Sequence, residues 1–284
     1  MIGQRFEYHA PASVEEAVGL LAAANGDANV IAGGTWVVPE LTHGIRTPAH
    51  IIDLRHAELS GVSASDAGIT IGATTTYSAL LDSPLVGEWA ALLHTMALGV
   101  TGGAQVRNQG TIGGSACYAT PSSDAPAALV ALDASLTLAE AGGTRDVRAE
   151  TFFEGAFRSA LKQGELLTEI VVPEPPSNVQ FGYDKLKFCE SSWPIATAAC
   201  VLGLDGDGVV EFARLAVGGA NTKPYVVDTS LLVGTPVTRD LADEVAERAR
   251  EAADDPYTDV LADGAYRQQV SGVVAKRALL DAAT

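Results

Sequence analysis

The apolar positions of this chain fall into short clusters whose periodicity keeps changing, and each change marks a candidate element. Ser13 and Glu16 stand in S-x-x-E spacing ahead of Ala17-Val18-Gly19-Leu20-Leu21. That spacing lets side-chain oxygens accept the first free N–H groups of a helix, so a helix is predicted to start here. A short apolar run, Asn29-Val30-Ile31, stops abruptly at Gly33-Gly34. After Trp36-Val37-Val38-Pro39-Glu40-Leu41, a second strand-like run follows, Ile51-Ile52-Asp53-Leu54. Strand, helix and strand of these lengths predict a small α/β unit with parallel pairing that ends near Ala57.

The pattern then changes. Residues 69–73 read as a strand, and residues 77–81 and 89–98 as helices. Glycine is dense from Gly99 to Gly114, and beyond it lie apolar residues 127–132. Residues 135–139 alternate like an exposed strand before a Gly142-Gly143 turn, and Glu169-Ile170-Val171-Val172 is another strand, closed by Pro173-Glu174-Pro175-Pro176. That proline cluster is the best candidate linker. Residues 196–204 and 209–217 flank Gly206-Asp207-Gly208 as a hairpin, and residues 241–246 and 266–280 have helical spacing suited to a bundle. The expectation is an α+β protein in three consecutive pieces: 1–57, 58–175 and 176–284.

Composition narrows what such a protein does. Of 284 residues, 47% are hydrophobic and 19% charged, ample for a buried core. The net charge of −17 repels a polyanionic backbone, which argues against nucleic-acid binding as the main activity. No run approaches the roughly 20 apolar residues of a membrane span, and Gln4, Arg5 and Glu7 interrupt any signal-peptide core. A cytoplasmic location is the default expectation. Cys117, Cys189 and Cys200 form no C-x-x-C and are too few for an iron–sulfur cluster, and the five histidines form no H-E-x-x-H. Any metal the protein uses is therefore expected in another chain, and Cys189 is read as a small buried residue.

The chemistry concentrates in two glycine segments, Ala32-Gly33-Gly34-Thr35 and Thr111-Ile112-Gly113-Gly114-Ser115. Glycine admits positive φ, which lets successive N–H groups converge on an anion, and the hydroxyls of Thr35, Thr111 and Ser115 add donors. An acidic protein that must hold a diphosphate would use neutral amides in this way. Either segment alone is more often a tight turn, and two of them with adjacent hydroxyls bring the ligand reading level with it. No lysine follows as in a P-loop, and no G-x-G-x-x-G is present, so an ordinary nucleotide triphosphatase or NAD domain is disfavoured.

The segments Ile31-Ala32-Gly33-Gly34-Thr35, then residues 107–115, then Pro121-Ser122-Ser123-Asp124-Ala125-Pro126, resemble the FAD-binding medium subunit of molybdenum hydroxylases, the xanthine dehydrogenase and carbon monoxide dehydrogenase family. Residues 166–173, Tyr183-Asp184-Lys185 and residues 216–220 follow in the family's order, so the resemblance spans nearly the whole chain. It implies a two-subdomain FAD-binding domain of the PCMH type, followed by a C-terminal antiparallel sheet with a helical bundle. Ala32, Gly33, Gly34, Thr35 and Trp36, with Thr111, Ile112, Gly113, Gly114 and Ser115, match the family's two pyrophosphate loops. Asp124 matches a carboxylate that bonds ribityl or ribose hydroxyls. Leu167 matches a residue near the adenine or flavin edge, and Lys185 a lysine near the pyrimidine side of the flavin. Trp193 stands where some relatives carry an aromatic beside the flavin ring; core packing is its alternative. Trp36 departs from the small or polar residue common after Gly-Gly-Thr, and Ser115 stands where Asn is frequent.

What the resemblance implies is an electron-transfer role without catalytic acid–base residues in this chain. FAD would take electrons from the [2Fe–2S] clusters of a small partner subunit, while a large partner holds molybdopterin, in a dimer of heterotrimers, and an external acceptor would take them on. The same clamp also suits a stand-alone flavoprotein oxidase or reductase acting on a small organic substrate, or a scaffold that has lost FAD.

Overall fold

The computed structural model describes residues 2–66 and 68–284. The N-terminal unit holds strands β1 (Glu7–His9), β2 (Ala28–Ile31) and β3 (His50–Asp53), all parallel in the order β1-β3-β2. Helix α1 (Val14–Ala23) connects the first two strands, and α2 (Val37–Thr42) the second and third. The Ser13 side chain accepts from the Glu16 N–H, while the Glu16 carboxylate accepts from the Ala12 N–H, so the capping box forms. Ala17 and Val18 then bury against Ile52 and Leu54.

The middle unit is an antiparallel sheet of β4 (Val62–Ser65), β5 (Gly68–Gly72), β6 (Ser135–Glu140), β7 (Gly143–Arg148) and, after a small hairpin, β10 (Leu166–Pro173), in the order β4-β5-β10-β6-β7. The hairpin pairs β8 (Phe153–Gly155) with β9 (Arg158–Ser159). Six helices lie between β5 and β6: α3 (Tyr77–Asp82), α4 (Pro84–Trp89), α5 (Ala91–Leu98), α6 (Gly103–Arg107), α7 (Ile112–Tyr118) and α8 (Ala125–Ala131). A short α9 (Ala149–Phe152) follows β7.

Two expectations are corrected here. The helix read across 89–98 is broken: α4 ends at Trp89, and Ala90, at φ −144° and ψ 49°, turns the chain before α5 starts. The strand read as exposed at 135–139 is internal. It lies between β10 and β7, with Leu136 and Leu138 buried and Ser135 and Thr137 toward the opposite face. Alternation reports one buried face but says nothing about how many strands flank it.

The C-terminal unit is the antiparallel sheet β11 (Val179–Lys187), β12 (Pro194–Leu204), β13 (Val210–Gly218) and β14 (Tyr225–Val227), carrying a helix pair, α10 (Arg239–Glu251) and α11 (Gly264–Ala282). The β12–β13 turn is held by Asp205, whose carboxylate accepts the N–H groups of Asp207 and Val209. Strand β12 is buried on both faces. Ala196, Ala198, Cys200 and Leu202 join the core under α11, whereas Ala199 and Val201 join the core of the middle unit. Its small side chains let helices approach from either side. The same alternation along β11 turns Phe181 and Tyr183 toward the middle unit and Leu186 toward α11. Among the described residues no helix is long and apolar enough to cross a membrane.

Gly182 of β11 meets α11 without a side chain between them. A Cβ there would intrude on the carbonyl oxygen of Ala278 and lie 2.8 Å from the Ala282 nitrogen. Gly182→Ala is expected to destabilise the chain by about 1–3 kcal/mol, the range of overpacked cores, read as a lower denaturation midpoint at unchanged m-value.

Candidate functional site

Strand β2 runs straight into the first glycine turn, and the turn abuts the second glycine segment. Gly33 lies so close to the chain at Gln109 that a Cβ would overlap the Gln109 carbonyl oxygen and sit 3.0 Å from the Gly110 Cα. Gly34 has φ +69°, a left-handed conformation that glycine adopts without strain. Gly113 packs closely, though less so, on Ala73, where a Cβ would lie 2.8 Å from the Ala73 Cα. The two segments, some eighty residues apart in sequence, therefore form two walls of one cleft.

The cleft encloses about 350 Å³. Ala32, Gly33, Gly34, Thr35 and Trp36 line it, facing Thr111, Gly113, Gly114, Ser115 and Leu167. Ile112 is fully buried in the core below and does not reach the cleft. A smaller adjoining space of about 70 Å³ shares Thr35, Trp36 and Ser115 with it and is lined by Asp124 and Trp193. Lys185 lines neither, but its ammonium contacts the Asp124 carboxylate at 2.9 Å.

The two segments contribute differently. Among the described residues, the N–H groups of Gly33, Gly34, Thr35 and Trp36 meet no acceptor in the chain. In the second segment the amides from Ile112 to Ser115 are already engaged: Ile112 donates to Thr75 O, Gly113 to Ala73 O, Gly114 to Thr111 Oγ1 and Ser115 to Thr111 O. These bonds pin the start of α7 against the 73–75 loop. What that segment offers the cleft is its flat glycine surface and the hydroxyls of Thr111 and Ser115, the latter accepting from Tyr77 OH at 2.7 Å.

Charge in the cleft is balanced. Arg46 lies on its wall with its guanidinium on Glu40 at 2.5 Å, and Glu165 is held by Arg145 through two bonds of 2.6 and 2.7 Å. The Arg145 guanidinium holds the Glu165 carboxyl below its usual range. An anion here therefore meets free amides rather than an unpaired cation. Cys117 also faces the cleft, and burial pushes its thiol up to about 12, which makes it unreactive.

At the far end, Asp124 precedes α8 and lies against β11. Its carboxylate accepts from Tyr183 OH at 2.8 Å and from Lys185 Nζ at 2.9 Å. Lys185 donates its other protons to Gly99 O at 2.9 Å and Thr101 Oγ1 at 3.2 Å. Burial raises the Asp124 carboxyl above the usual carboxylate range, against the pull of the Lys185 ammonium and the phenol. Both members are 93% covered, so removing either leaves a buried charge uncompensated.

An aromatic stack stands where the two spaces join. Trp36 lies on Tyr118 at 4.7 Å and 16°, and against Trp193 at 4.8 Å and 38°. Tyr118 meets Phe157 edge-on and donates to Glu40 at 2.7 Å. Trp193 is 48% exposed, so it caps the cleft rather than packing in the core. Cys189, expected to be buried, is exposed: it lies in the surface loop between β11 and β12 and bonds the nearby serines. Sequence reading missed Tyr118, Phe157, Tyr77 and Thr101. For Tyr183 a signal existed, since it stands two residues before Lys185 on one strand face.

Comparison with known proteins shows the family to which the chain belongs. Residues 4–175 match the FAD binding domain in molybdopterin dehydrogenase, and residues 182–282 the CO dehydrogenase flavoprotein C-terminal domain. The chain belongs to the FAD-binding medium-subunit family of the molybdenum hydroxylases. It is 34% identical over 281 residues to the carbon monoxide dehydrogenase medium chain of Afipia carboxidovorans, covering 98% of this chain and 97% of that one. It superimposes on a chain of the carbon monoxide dehydrogenase of Hydrogenophaga pseudoflava with TM-score 0.94 at 34% identity, covering 99% and 98% of the two chains. A chain of quinoline 2-oxidoreductase from Pseudomonas putida 86 matches with TM-score 0.91 at 30% identity over 98% and 96%. The chain is thus an FAD-carrying medium subunit of a heteromeric molybdenum-containing oxidoreductase, and molybdopterin and the iron–sulfur clusters belong to its partner subunits.

Gly33→Ala tests the cleft directly. The added methyl must separate the turn from the Gln109 backbone, so FAD retained by the purified chain is expected to fall about tenfold or more, while far-ultraviolet circular dichroism stays unchanged.

Proposed function

We propose that the FAD diphosphate rests on the turn at residues 33–36, and that the flavin ring extends from there toward Trp36, Trp193 and the Asp124–Lys185 pair. The observation that carries this reading is the row of amides at Gly33, Gly34, Thr35 and Trp36, which meet no acceptor among the described residues and lie on the cleft wall. Neutral amides satisfy two phosphoryl groups without adding cations to a protein of net charge −17. The Thr111 and Ser115 hydroxyls close over the opposite side, and Leu167 offers an apolar wall to a planar ring. FAD, when bound, takes up single electrons from a neighbouring centre and gives up one or two to an acceptor, which is the chemistry this chain lends to its complex.

The chain's own part is to hold and tune. Asp124 accepts hydroxyl donors of the cofactor's sugar portion from a position fixed by Tyr183 and Lys185. Lys185 has its donors engaged by Gly99, Thr101 and Asp124, so it supplies fixed positive potential rather than a free hydrogen bond. Trp193, at the mouth, shields one side of the ring from water. No acid or base is needed for electron transfer. Electrons are taken from the [2Fe–2S] clusters of the small subunit, within a dimer of heterotrimers located in the cytoplasm. The divisions 1–57, 58–175 and 176–284 serve as two halves of the FAD cradle and a C-terminal unit. No strand pairing among the described residues crosses either boundary, which supports them.

The complex purified without added flavin should yield one FAD per chain by absorption and mass spectrometry, with Mo and Fe in the co-purified subunits. A colourless complex would overturn the reading. Lys185→Met is expected to cost about 3–5 kcal/mol of stability by leaving Asp124 unpaired, and Lys185→Met with Asp124→Asn markedly less, as measured by denaturant unfolding. Trp193→Ala should leave FAD content intact and change the flavin spectrum and the rate of reoxidation by an external acceptor.

A further inference from the structure

The parallel register of the N-terminal sheet assembles a group of side chains that local spacing in the sequence does not announce. Glu7 and His9 are two apart on β1 and share a face, while Tyr8 between them points the other way and donates to Asp53 at 2.8 Å. Pairing sets Glu7 opposite His50 of β3. His9 Nε2 and His50 Nδ1 lie 3.2 Å apart, and Glu7 Oε2 lies 3.9 Å from the first and 3.6 Å from the second. Every pair of these ligand atoms falls within 4.8 Å. Both imidazoles are about one-quarter to one-third exposed, so an ion can reach them from solvent.

We propose that Glu7, His9 and His50 form a binding site for a divalent transition-metal ion, with zinc the best match. The three distances decide this. A triangle with these sides has a centre about 2.1 Å from each corner, and Zn–N and Zn–O bonds are about 2.0–2.2 Å. Two of the separations, 3.2 and 3.6 Å, lie near the roughly 3.3 Å edge of a tetrahedron with such bonds, and the third, 3.9 Å to the exposed Glu7 carboxylate, is longer. Two imidazoles and one carboxylate suit zinc rather than calcium or magnesium, which prefer oxygen alone. Water completes the fourth position. The net charge of −17 raises the local concentration of cations. The ion ties β1, only three residues long, to β3, and so steadies the sheet whose β2 strand leads into the Gly33-Gly34 turn. This places a metal in this chain itself, against the expectation that any metal resides elsewhere.

The test uses the full chain purified without an affinity tag. Zinc titration is expected to show one tight ion per chain, with a rise in the thermal midpoint. Cobalt(II) in place of zinc should give visible d–d bands of a four- or five-coordinate centre. His9→Ala and His50→Ala should each weaken binding by at least the roughly 10–100-fold that loss of even an outer partner costs. His43→Ala, on a histidine outside the cluster, should change nothing. FAD content, measured alongside, reports whether each variant is folded. If one histidine variant fails to fold, the other and Glu7→Gln carry the same reading. Equal zinc stoichiometry in wild type and both histidine variants would overturn the site, as would a wild-type chain that binds no zinc. Neither result bears on FAD binding.

Discussion

The cleft of this subunit depends on one steric constraint: at Gly33 the polypeptide passes against the backbone of Gln109 with no room for a side chain. That contact joins a parallel α/β unit to a helix-rich antiparallel one, and the space left beside it is the cleft in which we propose the cofactor sits. Gly113 repeats the device on the other wall by pressing α7 onto Ala73. Because both contacts are backbone on backbone, the separation of the walls is set by covalent geometry rather than by adjustable side chains. A cleft so fixed needs little reorganisation to receive a dinucleotide, which favours tight retention.

The two walls divide the work. Among the described residues the amides of the turn after β2 meet no acceptor, a cost that a ligand or water offsets. The opposite wall has its amides from Ile112 to Ser115 committed to Thr75, Ala73 and Thr111, so it is rigid and offers hydroxyls and a smooth surface. The spacing of glycines alone suggested two equivalent grips. The hydrogen bonds distinguish a grip from a backing plate. The Asp124–Lys185–Tyr183 group extends the same logic, since a buried ion pair with its donors and acceptors engaged holds its geometry whether or not a cofactor is present.

Much of this was legible in the sequence where the determinant was local. The capping box at Ser13 and Glu16, the strand ended by Gly33-Gly34 and the hairpin around Gly206-Asp207-Gly208 each depend on residues within a few positions. What was not legible depends on tertiary context. Ala90 breaks a helical run that hydrophobic periodicity carries through, and residues 135–139 alternate without revealing that strands lie on both sides. Cys189 gives no local sign of standing in an exposed loop. The meeting of Trp36, Tyr118 and Trp193 brings together three distant segments, and the Glu7, His9 and His50 group needs the register of a parallel sheet.

Strand β12 has a consequence for how the molecule comes apart. Its alternate residues belong to two different hydrophobic interiors, one beneath α11 and one beneath α8. Peeling the C-terminal portion away would strip apolar cover from the flavin-binding portion at the same moment. The middle and C-terminal sheets therefore share a single melting event instead of acting as beads on a string, and amide protons in β12 should be among the slowest in the chain to exchange with solvent.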